Sequence, residues 1–171
     1  GKMNYLYAFD LKPPGSQFLF AFAGFISGES MFNFRIFDMV WQIVTSYILF
    51  IIAFRLTQKK LLSMLAAFLY LLLYFRQDYW HTLQADGSLN LPFAICVLLL
   101  ISSYDRHSFV KIFLAGIMFT AALLFKYTII SFLPLLIICF FFYGKEISSI
   151  RIKNFAAFMF GVIFLTGLVV I

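Results

Sequence analysis

Apolar residues dominate this chain in long blocks, and the polar residues are pushed into the short stretches between them. Crossing a hydrocarbon core as a helix takes about 20 mostly apolar residues, with a range of about 17–25. By that measure the blocks predict spans near 34–54, 60–76, 88–104, 109–125, 127–143 and 154–171. The apolar piece 16–27 is too short to cross comfortably and predicts a juxtamembrane helix lying near the interface. Gly28 is the stop signal for that helix, since glycine tolerates the left-handed backbone of a helix C-terminus. The predicted fold class is therefore all-α, a polytopic transmembrane helix bundle with one interfacial helix.

Composition agrees with this pattern. The chain is 64% hydrophobic and 12% charged, with 25 phenylalanines, against about 45–50% apolar and about 25% charged for a soluble domain. Disordered, fibrous and soluble globular classes are excluded. At 171 residues there is no room for a soluble domain beside the spans. The start at Gly1 and the end inside the run Leu168-Val169-Val170-Ile171 suggest a fragment of one transmembrane domain, with 1–15 as an outer-loop motif. Cys96 and Cys139 sit inside apolar stretches and read as packing residues.

The net charge of +6 gains meaning from its distribution. With 34–54 running inward, one side of the membrane holds Arg55, Lys59, Lys60, Arg106, Lys111, Lys145, Arg151 and Lys153 against only Asp105 and Glu146. The other side holds Lys2, Lys12, Arg35, Arg76 and Lys126, balanced by Asp10, Glu29, Asp38, Asp78 and Asp86. Lysine and arginine excess marks the cytoplasmic side. The basic charge is thus a topology signal, and a nucleic-acid partner is excluded. The expected location is the inner or plasma membrane, with the polar clusters and the interfacial helix on the outer face.

Three outer features ask for an explanation. Asp10-Leu11-Lys12-Pro13-Pro14-Gly15 places an acid and a base two apart, ahead of two prolines that fix φ and push the preceding residues toward extended geometry. A rigid cation beside an anion at the lipid–water boundary suits a substrate with a lipid tail and a phosphate head. The loop 76–86 carries Tyr79, Trp80 and His81, readable as an aromatic belt, and ends at Asp86, positioned to cap the following span. Lys126 separates two apolar blocks, either snorkelling to the interface or joining Lys12 on a phosphate, which lysine binds as a point charge. Arg35 and Asp38, three apart on one helix face, suggest a local ion pair. His81 and His107 fall on opposite faces and cannot share a metal. P-loop, GxSxG, HExxH and CxxC patterns are absent. A small-xxx-small stripe is not apparent, Gly161 and Gly167 being six apart.

The residues Gly1-Lys2, Tyr5, Phe9-Asp10-Leu11-Lys12-Pro13-Pro14-Gly15, then an apolar helix, Gly28-Glu29-Ser30 and Phe34-Arg35, resemble the GT-C superfamily of membrane glycosyltransferases. The nearest likeness is to bacterial relatives of protein O-mannosyltransferases and lipid A aminoarabinose transferases, in which a D-x-K-P-P or E-K-P turn follows the first outer loop and a glycine-to-arginine step opens the next span. The resemblance implies transfer of a sugar from a polyprenyl-phosphate carrier to a lipid, glycan or protein acceptor on the outer face. It implies Lys12 on the carrier phosphate and Asp10 orienting that lysine or the acceptor, with Asp86 and Lys126 lining the same cavity and Arg35 marking the next span. It leaves room for a divalent cation at Asp10, although the spacing of Asp10, His81 and Asp86 does not demand one. The family's catalytic carboxylate lies upstream of this turn, so the base is expected before Gly1 and the fragment alone is expected to be inactive. A transporter or flippase for lipid-linked sugars is the rival reading. It calls for inverted repeats or mid-membrane charge, whereas these charges sit at span ends.

Overall fold

A computed structural model describes residues 13–28, 30–76, 82–104, 108–142 and 148–170. The described residues are helical, with no strand among them. Helix α1 is Gly15–Ser27. The long α2, Met31–Thr57, is followed by α3, Lys60–Phe75. A single turn, α4 (Ala85–Ser88), leads into α5, Asn90–Tyr104. Next come α6 (Phe109–Leu123), a 3-10 segment over Tyr127–Phe132, α7 (Leu133–Phe142) and α8 (Ser148–Val170).

Among the described residues three helical stretches are long and apolar enough to cross a membrane: Met31–Thr57, Ala85–Ser103 and Ile150–Val169. The 27 residues of α2 reach about 40 Å at 1.5 Å per residue, beyond the roughly 30 Å of hydrocarbon. Helices α3 and α6 have 16 and 15 residues, a shortfall that end-placed lysines and local bilayer thinning accommodate. The stretch 127–143, expected as one span, opens instead as six residues of 3-10 helix before ten of α-helix.

The elbow between α1 and α2 is built from local signals. Gly28 takes φ +86°, a conformation that opposes a Cβ, and its N–H closes on the Gly24 carbonyl at 2.9 Å. Ser30 then caps α2 by accepting from the Asn33 N–H at 3.2 Å, and the Asn33 side chain reaches back to the Ser27 carbonyl. At its far end α2 stops at Gln58, in the left-handed region with φ +56°.

Helix α2 is turned inside out relative to a soluble helix. Its buried residues are Asp38, Gln42, Thr45 and Ser46, while Ile36, Met39, Val40, Ile43 and Val44 are exposed. Such a helix belongs in lipid, where the apolar face needs no cover and polar groups must find partners inside the bundle. Ser46 Oγ donates across to the Ala67 carbonyl of α3 at 2.9 Å. At the far end Arg55 Nη1 meets Ser102 Oγ at 2.5 Å, and Lys111 Nζ donates to the Ser102 carbonyl at 3.3 Å. The cations Arg55, Lys59, Lys60 and Lys111 thus occupy that end, with Arg151 and Lys153 in the opening turns of α8.

The apolar core lies between α6 and α8, where the rings of Phe119 and Phe158 are fully buried with centroids 5.7 Å apart. The two backbones nearly touch. A Cβ on Gly116 would overlap the Phe158 carbonyl, and one on Gly161 would overlap the Phe113 carbonyl. Thr120 Oγ1 donates to the Gly116 carbonyl at 3.2 Å and reaches the Val162 carbonyl at 3.3 Å. The small-xxx-small pattern is therefore present after all, as Gly116 with Thr120 and Ala157 with Gly161. Gly167, which the sequence sets beside Gly161, takes no part, and a Cβ there would meet open space. Cys96 is a buried free thiol in the same core, and the side chain of Cys139 lies outside the described residues.

Gly116→Ala should destabilise the bundle by about 1–3 kcal/mol through overpacking. Gly167→Ala should be neutral or stabilising by up to about 1 kcal/mol from helix propensity. Thermal unfolding of the two variants in one detergent checks both.

Candidate functional site

Pro13 and Gly15 are buried, and the end of the proline turn is fixed to the loop that follows α6. The Gly15 N–H donates to the Leu124 carbonyl at 2.7 Å. A Cβ at Gly15 would overlap that carbonyl group and the Phe125 nitrogen, so only glycine permits the approach. Pro14 precedes the first turn of α1 with φ −71°, and its carbonyl accepts from the Phe18 N–H at 3.0 Å. Asp10 and Lys12 lie outside the described residues, as do Tyr79, Trp80, His81 and His107.

The same loop carries Lys126. Phe125 is buried and anchors it, the Lys126 backbone is extended at φ −155°, and its carbonyl starts the 3-10 segment by accepting from Ile129 at 3.2 Å. The Lys126 ammonium forms an ion pair with Asp86 Oδ1. The sequence points to Asp86 as the cap of the following span; instead Gln84 occupies the N-cap position and Asp86 sits inside the first turn, its carboxylate committed to Lys126. The two side chains of the pair, Lys126 and Asp86, remain 44% and 67% exposed, so the pair adds little to stability. What matters is that residues 40 apart in sequence hold opposite charges at one end of the bundle, beside the Gly15 anchor.

The Asp86 loop is itself held from below by α2 and α3. Trp41 Nε1 donates to the Ser88 carbonyl at 3.1 Å. Gly87 lies against the Tyr74 ring so closely that a Cβ would overlap it. Leu83, fully buried, adopts φ +52°, a strained region for a branched apolar residue, and its backbone N–H lies near the Asp38 carboxylate. Asp38 also accepts from Gln42 Nε2 at 3.1 Å and from the Tyr74 hydroxyl, 3.0 Å from both carboxylate oxygens. The expected local pair with Arg35 is thus not the main partnership. Arg35 sits on the exposed side of α2 and adds its charge nearby, while Asp38 points into the α2–α3 interface.

Residues 11–171 match the family of dolichyl-phosphate-mannose-protein mannosyltransferases over nearly the whole chain. The chain belongs to that mannosyltransferase family. It is a membrane glycosyltransferase of the GT-C type, and the family favours the enzyme over a transporter. Neither a curated protein nor a solved structure matches the chain.

For this mannosyltransferase family member, sequence reasoning missed Gln42, Tyr70, Tyr74 and Asn90. One signal was available. Asp38, Gln42, Thr45 and Ser46 follow a helical period within an otherwise apolar block, as do Tyr70 and Tyr74. Among the described residues no three His, Cys, Asp or Glu side chains come together.

Lys126→Ala should shift Tm by no more than about 4 °C, as expected for loss of a solvent-exposed ion pair. Gly15→Ala should lower Tm clearly and expose the α1 segment to limited proteolysis. Comparing melting curves and cleavage patterns of the two variants separates loss of charge from loss of the anchor.

Proposed function

We propose that the Asp86–Lys126 end of the bundle is the carrier-phosphate site of a transferase moving a sugar from a polyprenyl-phosphate carrier to a lipid, glycan or protein acceptor on the outer face of the membrane. The observation carrying this reading is the convergence of the proline turn, Lys126 and Asp86 on one loop. In this reading Lys126 and Lys12 are the phosphate ligands, with Asp10 orienting Lys12 and Arg35 contributing positive potential at the start of α2. Asp86 holds Lys126 in place until the phosphate arrives.

The chemistry follows from charge. The bond between the sugar's anomeric carbon and the phosphate oxygen breaks, and the acceptor oxygen bonds to that carbon. Negative charge grows on the departing polyprenyl phosphate, where fixed ammonium groups stabilise it more than they stabilise the bound donor. A carboxylate general base takes the acceptor's hydroxyl proton; neither Asp10 nor Asp86 is assigned that role. The opposite end, rich in Arg55, Lys59, Lys60 and Lys111, faces the cytoplasm in this reading.

With the full-length protein and a labelled polyprenyl-phospho-sugar donor, Lys126→Ala should lower turnover or donor affinity by about 10- to 100-fold, the worth of a charge-assisted hydrogen bond. Lys12→Ala should abolish transfer with expression intact. Lys126→Arg should retain part of the activity, because the positive charge survives the change. Wild-type kinetics in both alanine variants would sink the phosphate assignment. Orientation has its own check: a membrane-impermeant thiol reagent should label Thr128→Cys in intact cells and Thr57→Cys only after permeabilisation, and the reverse pattern would invert the topology.

A further inference from the structure

Beneath the Asp86–Lys126 pair runs a chain of hydrogen bonds that the proposed transfer does not use. It starts at Asn90, whose Nδ2 donates to the Tyr70 hydroxyl oxygen at 3.2 Å. The Tyr70 hydroxyl donates to Gln42 Oε1 at 2.6 Å, and Gln42 Nε2 donates to Asp38 Oδ1 at 3.1 Å. The direction is forced from one end. A carboxylate only accepts, so Gln42 turns its amide nitrogen to Asp38 and its oxygen to Tyr70. The Tyr70 hydroxyl must then donate, leaving its oxygen to accept from Asn90. Every dipole in the chain points at Asp38, and the Tyr74 hydroxyl and the Leu83 N–H point there too.

The groups so arranged bracket the segment that presents Asp86. Leu83 is three residues before it, held in a left-handed conformation that the surroundings must over-determine. Gly87, directly after it, lies on the Tyr74 ring, and Ser88 is tied to Trp41. Asn90 is the first residue of α5. Asp38 is 5% exposed and Gln42 is fully buried, so the bond between them is closed to bulk water, while Tyr70, Tyr74 and Asn90 are partly buried around it.

We infer that Asp38 is a positioning residue of the transferase: through Leu83 and Tyr74 it fixes segment 82–88, so that Asp86 meets Lys126 in register. This rests on the reading of Asp86 and Lys126 as the carrier-phosphate site. An asparagine at 38 presents one acceptor oxygen where two are used, and turns an NH2 toward a donor. That NH2 then faces the Leu83 N–H or the Tyr74 hydroxyl, and the Asp86 segment loosens while the α6–α8 core is untouched.

The test uses the full-length enzyme. Asp38→Asn should cut turnover by about 10- to 100-fold, the scale of an ångström-sized misplacement, and speed amide hydrogen exchange in segment 82–88 while that of α6 is unchanged. In an Asp86→Asn background the same Asp38→Asn change should cost less than about twofold more, because both act through one carboxylate. Tyr74→Phe removes one donor while keeping the ring against Gly87; it provides a milder variant if Asp38→Asn does not fold, with the same non-additivity expected. Additive losses in the two backgrounds overturn the inference, as does wild-type turnover or unchanged exchange in segment 82–88. Failure of the phosphate assignment reads differently: Lys126→Ala then keeps wild-type donor kinetics, while the exchange measurement still reports whether Asp38 holds the segment.

Discussion

A carboxylate buried inside a helix pair cannot rely on water, so the groups around it must be donors. Asp38 imposes that rule on its neighbourhood. It sets the sense of the Gln42 amide and the hydroxyl of Tyr70, and it accepts from Tyr74 with the Leu83 backbone close by. Because a buried carboxylate left without partners is costly, the elements that supply those partners are bound to one relative placement. Helices α2, α3 and the start of α5 are therefore registered at this end by polar bonds, while their outward faces remain free to match the lipid.

A second constraint acts beside the first. Helix α1 is fastened at both ends, through Gly15 to the Leu124 carbonyl and through Gly28 and Asn33 to the head of α2. The loop after α6 is consequently gripped by α1 on one side and by the Asp86 pair on the other. The rigid partner for both is the α6–α8 crossing, where Gly116 and Gly161 bring two backbones together. In this member of the mannosyltransferase family the arrangement puts a stiff floor under two exposed charges.

Much of this architecture was legible in the chain. Apolar block lengths give the helices, Gly28 gives the end of α1, and charge imbalance separates the two ends of the bundle. The Asp38 network was not legible in the same way. Its members lie on three separate elements, and each alone has an ordinary explanation: a local ion pair for Asp38, interfacial aromatics for Tyr70 and Tyr74, a helix start for Asn90. Only the polar period along α2 hinted that they share a face. The glycine crossing was hidden for a related reason: each helix contributes one glycine, and its small partner four residues away is Thr120 in one helix and Ala157 in the other. The pairing of Asp86 with Lys126 is a matter of tertiary geometry. Sequence suggested that both belong at one end, but not that a helix cap would be given up for an ion pair.

The exposure of the Asp86–Lys126 pair carries one more consequence. With so much of both side chains open to solvent, their attraction is felt through water and mobile ions, and at physiological ionic strength it fades over about 8 Å. On the proposed phosphate reading, an anion arriving at Lys126 displaces Asp86 in an exchange of nearly equal terms, with little desolvation on either side. Dilute salt tightens both the resting pair and its competitor, so the balance between them moves less with ionic strength than either attraction alone. On that reading the surface ion pair is a replaceable placeholder, keeping a cation extended without binding it too firmly to be used.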